Sequence, residues 1–267
     1  QDFSRTIMIN QYFHIQRHTR NFLRKKGGIL DHILPHRCIV TGEITQSPTG
    51  LSPKAWGELN FISDPMCKSC GTPFSYQLSD TDLETEGQVC LSCTEYPFSF
   101  ARARAVLRYD DASKPMVLGF KHGDKTYMAV NFAEMMRQAG HQLLEDADLL
   151  IPVPLHWTRL LKRRFNQSML LAKRLSFITG IECSSGALKR IKATPVQGHL
   201  NTKARKKNVS HAFLVSPDRE DEVRGKRIIL VDDVFTSGST ANECAKTLLE
   251  AGAKQVDVLC VAKVVRD

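Results

Sequence analysis

Two adjacent carboxylates and the loop of small residues that follows them are the part of this sequence best suited to chemistry. Asp232 and Asp233 are followed closely by the run Thr-Ser-Gly-Ser-Thr at residues 236–240. If that run opens a helix, its free amides and hydroxyl groups would bind an anion such as a phosphate, and Gly238 would let the ligand approach the backbone. The carboxylates cannot bind the phosphate itself, because like charges repel. They suit the diol of a neighbouring ribose, or a divalent cation. The segment therefore predicts a sugar-phosphate site. The candidate contacts are Asp232, Asp233, Thr236, Ser237, Gly238, Ser239 and Thr240.

The elements on either side of these residues would place them at the edge of a sheet. The apolar run at residues 228–231 predicts a buried strand, and Ala241–Glu250 predicts a helix that Gly252 ends. An ordinary strand–turn–helix with a Ser or Thr cap is the alternative for the segment, and compensation of helix charge is the alternative for the two aspartates. The run is not a Walker A loop, since no lysine follows the glycine, and it lacks the three glycines of a dinucleotide-binding fingerprint.

Four of the eight cysteines form a second group with chemical meaning. They are arranged as two Cys-x-x-Cys pairs separated by 19 residues, which is typical of a zinc ribbon, and Gly71 suits the tight turn after the first pair. Four thiolates close the tetrahedral shell of the metal, so we expect a structural zinc. Two disulfides are the alternative, and a reducing compartment disfavours them. The predicted ligands are Cys67, Cys70, Cys90 and Cys93.

Positive charge is concentrated in one window of the chain. The net charge is +9, and residues 155–210 hold 13 Lys and Arg against the single acid Glu182. So dense a positive field predicts a polyanionic partner, either a pyrophosphate-bearing molecule or a nucleic acid. A solvated basic face is the alternative.

The beginning of the sequence is basic and carries scattered apolar residues. Residues 1–37 lack the continuous apolar core of a signal peptide, and no apolar run in the chain approaches the length of a membrane span. A docking helix is the favoured interpretation of this segment, with a transit peptide as the alternative. We expect a cytoplasmic protein.

The rest of the chain alternates between predicted strands and helices. This alternation favours a parallel, doubly wound sheet, in which ligands bind at the carboxyl ends of the strands, where Asp232 and Asp233 fall. The polar, basic stretch 184–207 predicts a mobile loop. Predicted strands cover residues 100–109, 149–153, 213–215, 227–231 and part of 255–265, and predicted helices cover residues 115–122, 128–144, 165–179 and 241–250.

With these pieces assembled, residues 36–265 resemble the ComF/GntX family, in which a zinc-ribbon-like region precedes a phosphoribosyltransferase domain. Many relatives carry a second zinc ribbon, but here only Cys38 of its four ligands remains, and Ser52–Trp56 stands in place of the second pair. We therefore expect one zinc site, with residues 38–60 kept in shape by apolar packing around Trp56 and Phe61. The motifs that carry the resemblance are Lys121-His122-Gly123, Pro152–His156, Arg164–Gln167, Thr194–Gln197, Arg205–Val209 and the 228–240 segment.

The resemblance implies a type I phosphoribosyltransferase-like α/β fold with three parts: a basic amphipathic segment (1–37), a zinc-ribbon-like region (38–98) and a phosphoribosyltransferase-like domain (99–267). It also implies that 5-phosphoribosyl-1-pyrophosphate (PRPP) binds with Mg²⁺ at residues 228–240, with Asp232 and Asp233 as candidate catalytic residues. The loop after the strand at 149–153 would meet pyrophosphate, and the segment 189–207 would close over the site as a lid. The implied pyrophosphate contacts are Lys121, Arg159, Arg163, Arg164 and Arg205.

The acceptor of a phosphoribosyl group is not evident in the sequence, since few aromatic residues lie near the loop apart from Phe235. The resemblance also implies an alternative function. In this alternative the protein is a non-catalytic accessory protein of DNA uptake that binds single-stranded DNA and works with a DNA-uptake helicase.

Overall fold

The structure is a computed structural model that describes residues 37–38, 40–45, 51–74, 88–122, 125–156, 165–192 and 211–265. The chain divides into two compact units, residues 1–52 and residues 53–267. In the first unit the described residues form a turn in which the Cys38 amide donates to the Glu43 carbonyl at 2.7 Å and the Gly42 amide donates to the Cys38 carbonyl at 2.9 Å. The domain boundaries expected at 37/38 and 98/99 stay a prediction.

The second unit is built on a five-stranded parallel sheet of order β1-β7-β6-β2-β3, with a separate antiparallel pair β4-β5. β6 and β7 are buried along most of their length because helices cover both faces. The strands are β1 (Ala103–Arg108), β2 (Leu149–Pro152), β3 (Glu182–Cys183), β4 (Leu188–Arg190), β5 (Phe213–Val215), β6 (Arg227–Phe235) and β7 (Gln255–Lys263).

The described helices are α1 (Pro53–Glu58), α2 (Leu91–Glu95), α3 (Lys114–His122), α4 (Met128–Ala139), α5 (His141–Leu144), α6 (Gln167–Thr179), α7 (Glu220–Val223) and α8 (Ser239–Glu250), with a 3₁₀ turn at Pro217–Arg219. α8 covers the sheet face that carries Ile228 and Leu230, since its Leu248 lies in the same buried cluster. Side chains alternate across a strand, and α4 and α6 pack on the other face. The predicted doubly wound α/β fold is confirmed.

Several element boundaries differ from those expected, and each difference has a local cause. β6 runs to Phe235 instead of ending at residue 231, because β7 continues to pair with it as far as Phe235 opposite Lys263. The helix expected at 128–144 is two helices that meet at Gly140, where an added Cβ would lie 2.7 Å from the Leu259 side chain. α6 begins at Gln167 because the Asn166 side chain caps it by accepting from the Ser168 amide.

The remaining shifts are small. α8 begins at Ser239, two residues earlier than expected, and the first sheet strand covers 103–108 instead of 100–109. Part of the stretch 184–207, expected to be a mobile loop, is ordered, since β4 within it pairs with β5. The rest of that stretch, residues 193–207, lies outside the described residues.

The region before β1 covers the outer edge of that strand. The Ile62 amide donates to the Val106 carbonyl at 2.9 Å, and the Arg108 amide donates to the Asn60 carbonyl at 2.8 Å. Further along, the Ala103 amide donates to the Ser69 carbonyl at 2.6 Å. An uncovered edge strand would present unpaired backbone groups, so residues 60–69 complete the sheet. None of the helices in the described part of the chain combines the length and apolarity needed to cross a bilayer.

Candidate functional site

The two aspartates lie in the C-terminal half of β6, and each contacts a residue from a different helix. The Ser168 hydroxyl, in the first turn of α6, donates to Asp232 Oδ1 at 2.9 Å. Lys121 Nζ, near the end of α3, lies 3.4 Å from Asp233 Oδ1, and the two side chains are 18% and 13% exposed. The structure therefore places the predicted residues Lys121, Asp232 and Asp233 together at the carboxyl edge of the sheet.

The environment of Asp232 disfavours its charged form. Burial and, to a smaller extent, the neighbouring charge of Asp233 raise the pKa of Asp232 from 3.8 to about 7. Hydrogen bonds from the Asp233 amide and the Ser168 hydroxyl, and the charge of Lys121, act in the opposite direction but do not cancel the burial. The pair therefore lacks positive charge, and a bound cation or hydroxyl donors would favour the ionised carboxylate.

The start of α6 fixes this arrangement through residues on both sides of the site. The Asn166 side chain caps the helix and also donates to the Val153 carbonyl at 3.2 Å, which ties α6 to the end of β2. Gln167 Nε2 donates to the Lys121 carbonyl at 2.8 Å, which ties α6 to α3. Sequence reasoning missed Ser168. The only signal for it was its place in the first turn of a helix predicted beside the sheet.

The loop after β6 has the geometry of an anion site. Gly238 has a φ of +74°, and α8 begins at the next residue. The Ser237 and Ser239 hydroxyls lie 2.9 Å apart, and the Ser239 amide donates weakly to Ser237 Oγ at 3.5 Å. The first amides of a helix have no partner within it, so Thr240 and the residues beside it present donors to a ligand.

The structure shows a second reason, not visible in the sequence, why position 238 must be glycine. A Cβ at this position would lie 2.7 Å from Phe235 Cζ and 2.8 Å from Phe98 Cε1. The backbone of the loop thus rests directly on aromatic rings, and any side chain here would collide with them. Glycine is therefore needed both for the positive φ and for this contact.

Several of the predicted anion contacts cannot be placed. Residues 157–164 and 193–210 lie outside the described residues, and so does most of the predicted lid, of which only 189–192 are described. Four of the predicted pyrophosphate contacts lie in these undescribed segments: Arg159, Arg163, Arg164 and Arg205.

The cysteine cluster forms a compact group of ligand atoms. The sulfur atoms of Cys67, Cys70, Cys90 and Cys93 all lie within 4.8 Å of one another, and none of them forms a disulfide. A tetrahedral zinc with bonds of about 2.3 Å would separate its sulfur ligands by about 3.8 Å. The Cys70 and Cys90 sulfur atoms are 3.8 Å apart, so the four residues fit a structural zinc.

The protonation of the thiols agrees with a site built for a cation. The hydrogen bond with Cys70 is the largest cause that lowers the pKa of Cys67, to about 4. The same bond and burial raise the pKa of Cys70, and burial raises the pKa of Cys93 to about 11. Four thiols this close cannot all ionise by themselves, whereas a dication stabilises them all as thiolates.

Trp56 and Phe61, around which apolar packing of residues 38–60 is predicted, are in contact, and the loss of a second metal site stays a prediction. Their rings stack with centroids 4.6 Å apart at an angle of 20°. Cys38 is 3% exposed. Burial opposes its ionisation, but hydrogen bonds from Ser52 and Thr41 outweigh it and hold the pKa of Cys38 at about 7.

Comparison with known proteins identifies both halves of the chain. A family model described as a double zinc ribbon domain matches residues 29–94, and one described as a phosphoribosyl transferase domain matches residues 171–266. The chain is 31% identical over 206 residues to the DNA utilization protein YhgH of Salmonella typhimurium, covering 74% of this chain and 84% of that protein. The chain belongs to the ComF/GntX family. It is also 30% identical over 207 residues to Competence protein F of Haemophilus influenzae, covering 75% of this chain and 86% of that protein.

About half of the chain also aligns with solved structures, at low overall similarity. The allosteric regulatory enzyme of purine biosynthesis aligns over 54% of this chain and 30% of its own, with 20% identity and a TM-score of 0.35. A purine phosphoribosyltransferase from Pyrococcus horikoshii aligns over 51% of this chain and 74% of its own, with 19% identity and a TM-score of 0.32.

The cysteine cluster predicts about one zinc per chain, since four ligands complete one closed shell. Cys70→Ser should lose most of the metal, whereas the matched variant Cys183→Ser, outside the cluster, should keep it. Elemental analysis of the purified proteins measures both. About two zinc ions per chain, or none, would contradict the single-site prediction.

The raised pKa of Asp232 predicts a pH-dependent effect on stability. A raised carboxyl pKa contributes stability that is fully present below 3.8 and is lost as pH rises through about 7. Asp232→Asn removes this loss, so the variant should gain stability relative to the parent protein between about pH 5.5 and about pH 8.5. Chemical unfolding of the zinc-loaded proteins at both values measures it, with the exposed Asp111→Asn as the control. An equal difference at both pH values would refute the assignment.

Proposed function

We propose that this protein binds PRPP with Mg²⁺ at the carboxyl end of β6. The observation that supports it is the continuous segment from Asp232 to Thr240. It brings two carboxylates and a helix start with free amides to one edge of the sheet. Hydroxyl acceptors next to anion donors match a sugar phosphate better than a simple phosphate. In parallel sheets ligands bind at this edge.

Each part of the segment takes one part of the ligand. Residues Thr236–Thr240 hold the 5-phosphate through amides and hydroxyls. Asp232 and Asp233 accept hydrogen bonds from the ribose hydroxyls. In the free protein the raised pKa of Asp232 disfavours its charged form. The ribose hydroxyls and the magnesium ion that accompanies PRPP would oppose this shift and favour the ionised carboxylate.

Phosphoribosyl transfer would follow from this binding mode. The bond between C1 of the ribose and the pyrophosphate oxygen breaks, the electron pair leaves with pyrophosphate, and C1 passes through an oxocarbenium-like state before a nucleophile attacks it. The protein's contribution is to orient the ribose and to neutralise the departing charge with Mg²⁺ and cations. The cations proposed for the second task are Lys121, Arg159, Arg163, Arg164 and Arg205.

A second function, binding of single-stranded DNA by a non-catalytic accessory protein, is supported by a different observation. Relatives carry the names DNA utilization protein and Competence protein F, and residues 155–210 are strongly basic. In this function a DNA-uptake helicase would be the protein partner. Against it, a purely DNA-binding protein has no use for Asp232 and Asp233, since carboxylates repel a nucleic-acid backbone.

Titration calorimetry with PRPP and Mg²⁺ tests the first function. Replacing both Asp232 and Asp233 with Asn should weaken binding by more than about ten-fold, because charge-assisted hydrogen bonds contribute about 1.5–3 kcal/mol each. Asp111→Asn, an exposed carboxylate elsewhere on the chain, should bind as the parent protein does. Unchanged affinity in the double variant would remove the assignment of the ribose to these residues.

Salt dependence tests the second function. If five of the basic residues contact single-stranded DNA, the slope of log K against log salt should be roughly −3.5, at about −0.7 per contact. Replacing Lys203, Arg205, Lys206 and Lys207 with Ala should flatten the slope and weaken DNA binding. If the window is a lid for pyrophosphate, the same variant should lose PRPP affinity instead. DNA binding that is absent at physiological salt would refute the accessory function.

A further inference from the structure

Phe98 belongs to two packed groups at once. It packs against the cysteine cluster of Cys67, Cys70 and Cys93, and it also packs against the main core of the sheet domain. Only four residues separate it along the chain from Cys93, so the cluster and the ring are linked both by a short segment and by direct packing. A metal that fixes the cluster would therefore also fix the position of Phe98.

The ring of Phe98 continues into the end of the central strand. It stacks on Phe100 with centroids 4.5 Å apart and an angle of 15°. It meets Phe235 edge-on at 6.1 Å and 76°, and Phe100 meets Phe235 in the same way at 5.9 Å. Phe235 is the last residue of β6 and directly precedes the phosphate loop. The three rings thus join the cysteine cluster to the residue just before the loop 236–240.

The loop itself rests on the edge of the Phe98 ring. A Cβ on Gly238 would lie 2.8 Å from Phe98 Cε1 and 3.0 Å from Phe98 Cζ, so the glycine backbone is in close contact with this edge. Glycine adopts the φ of +74° found at Gly238 without strain, so the loop is supported by its contact with this ring and not by backbone strain. The ring supplies that support from below.

A hydrogen bond makes a second connection between the same segments. The Ser99 amide donates to Asn242 Oδ1 at 2.6 Å, and the Asn242 amide donates to the Gly238 carbonyl at 2.8 Å. The residue next to Phe98 therefore also holds the first turn of α8. Two independent contacts converge on Gly238 from the chain that follows the cysteines.

We propose that Phe98 is a positioning residue through which the zinc cluster holds the phosphate loop in its binding conformation. The effect on PRPP binding rests on the proposed function, whereas the coupling of the cluster to the loop is a property of the fold. Phe98 does not touch the ligand. It raises the fraction of molecules whose loop is ready to bind, and the apparent dissociation constant rises in inverse proportion when that fraction falls.

Hydrogen exchange of the full-length, zinc-loaded protein tests the coupling without any ligand. Phe98→Ala should speed exchange of the amides of residues 236–240 while β2 and β7 stay protected. Tyr96→Ala is the matched control, since this aromatic residue of the same segment is 73% exposed, and it should leave the loop unchanged. Loop exchange that is unchanged in Phe98→Ala, or raised equally across the whole sheet, would overturn the positioning role.

Removal of zinc tests whether the cluster acts through Phe98. A chelator should speed loop exchange more in the parent protein than in Phe98→Ala, because the ring contact is already lost in the variant and only the hydrogen bond from Ser99 to Asn242 remains there. Equal increases in both proteins would overturn the proposal, since the cluster would then act by another path. Phe98→Leu keeps apolar volume against the core but lacks the ring edge under Gly238, so it should show the loop effect with less loss of stability.

Calorimetry with PRPP and Mg²⁺ then measures the consequence. If one molecule in ten keeps the competent loop, Phe98→Ala should bind about ten-fold more weakly. Tyr96→Ala should bind as the parent protein does, and full affinity in Phe98→Ala would overturn the proposal. If the parent protein fails to bind PRPP, the proposed function is wrong, while the exchange experiments decide the coupling on their own.

Discussion

Strand β6 is hydrogen bonded along both edges in its first part and along one edge in its last part, and the candidate site depends on that asymmetry. β2 pairs with β6 from Ile228 to Val231, whereas β7 pairs with it through Phe235. The strand is therefore held firmly, while Asp232 and Asp233 lie beyond the point where the β2 ladder ends. Backbone pairing with β7 fixes their position at the edge where parallel sheets bind ligands.

The charges of the site are arranged to be completed by a ligand. Two carboxylates adjacent in sequence share the end of one strand, and Lys121 is held against Asp233. Burial raises the pKa of Asp232 by removing its charged form from water, and the charge of Asp233 adds to this effect, which Lys121 only partly offsets. An arrangement of this kind costs stability in the free protein and gains it when hydroxyl donors or a cation arrive. Such a cost is typical of functional sites and is unusual in a core that serves packing alone.

The cysteine-bearing region is part of the architecture of the sheet in this member of the ComF/GntX family. Residues 60–69 cover the edge of β1, and Gly71 lies so close to the Ala103 carbonyl that an added Cβ would be 2.4 Å from that oxygen. From the other side of the cluster, Phe98 reaches the loop 236–240. Within the second unit, the cysteine-bearing residues of the double zinc ribbon match are thus connected through β1 and Phe98 to the segment of the phosphoribosyl transferase match, residues 171–266.

The sequence by itself determined the local motifs: the four cysteine ligands, the carboxylate pair with its loop, and the alternation of strands and helices. In each case the chemistry depends on spacing within a short segment, so it is visible before the chain folds. Only the tertiary structure decided the contact of Ser168 with Asp232, the pairing of Lys121 with Asp233, the extra length of β6 and the contacts of Phe98. Each of these joins residues far apart in the chain, and their positions depend on the register of β6 with β7 and on the packing of α6 and the cysteine cluster around it. Spacing along the sequence carries no information about such contacts, because they exist only once the sheet has brought the separate segments together.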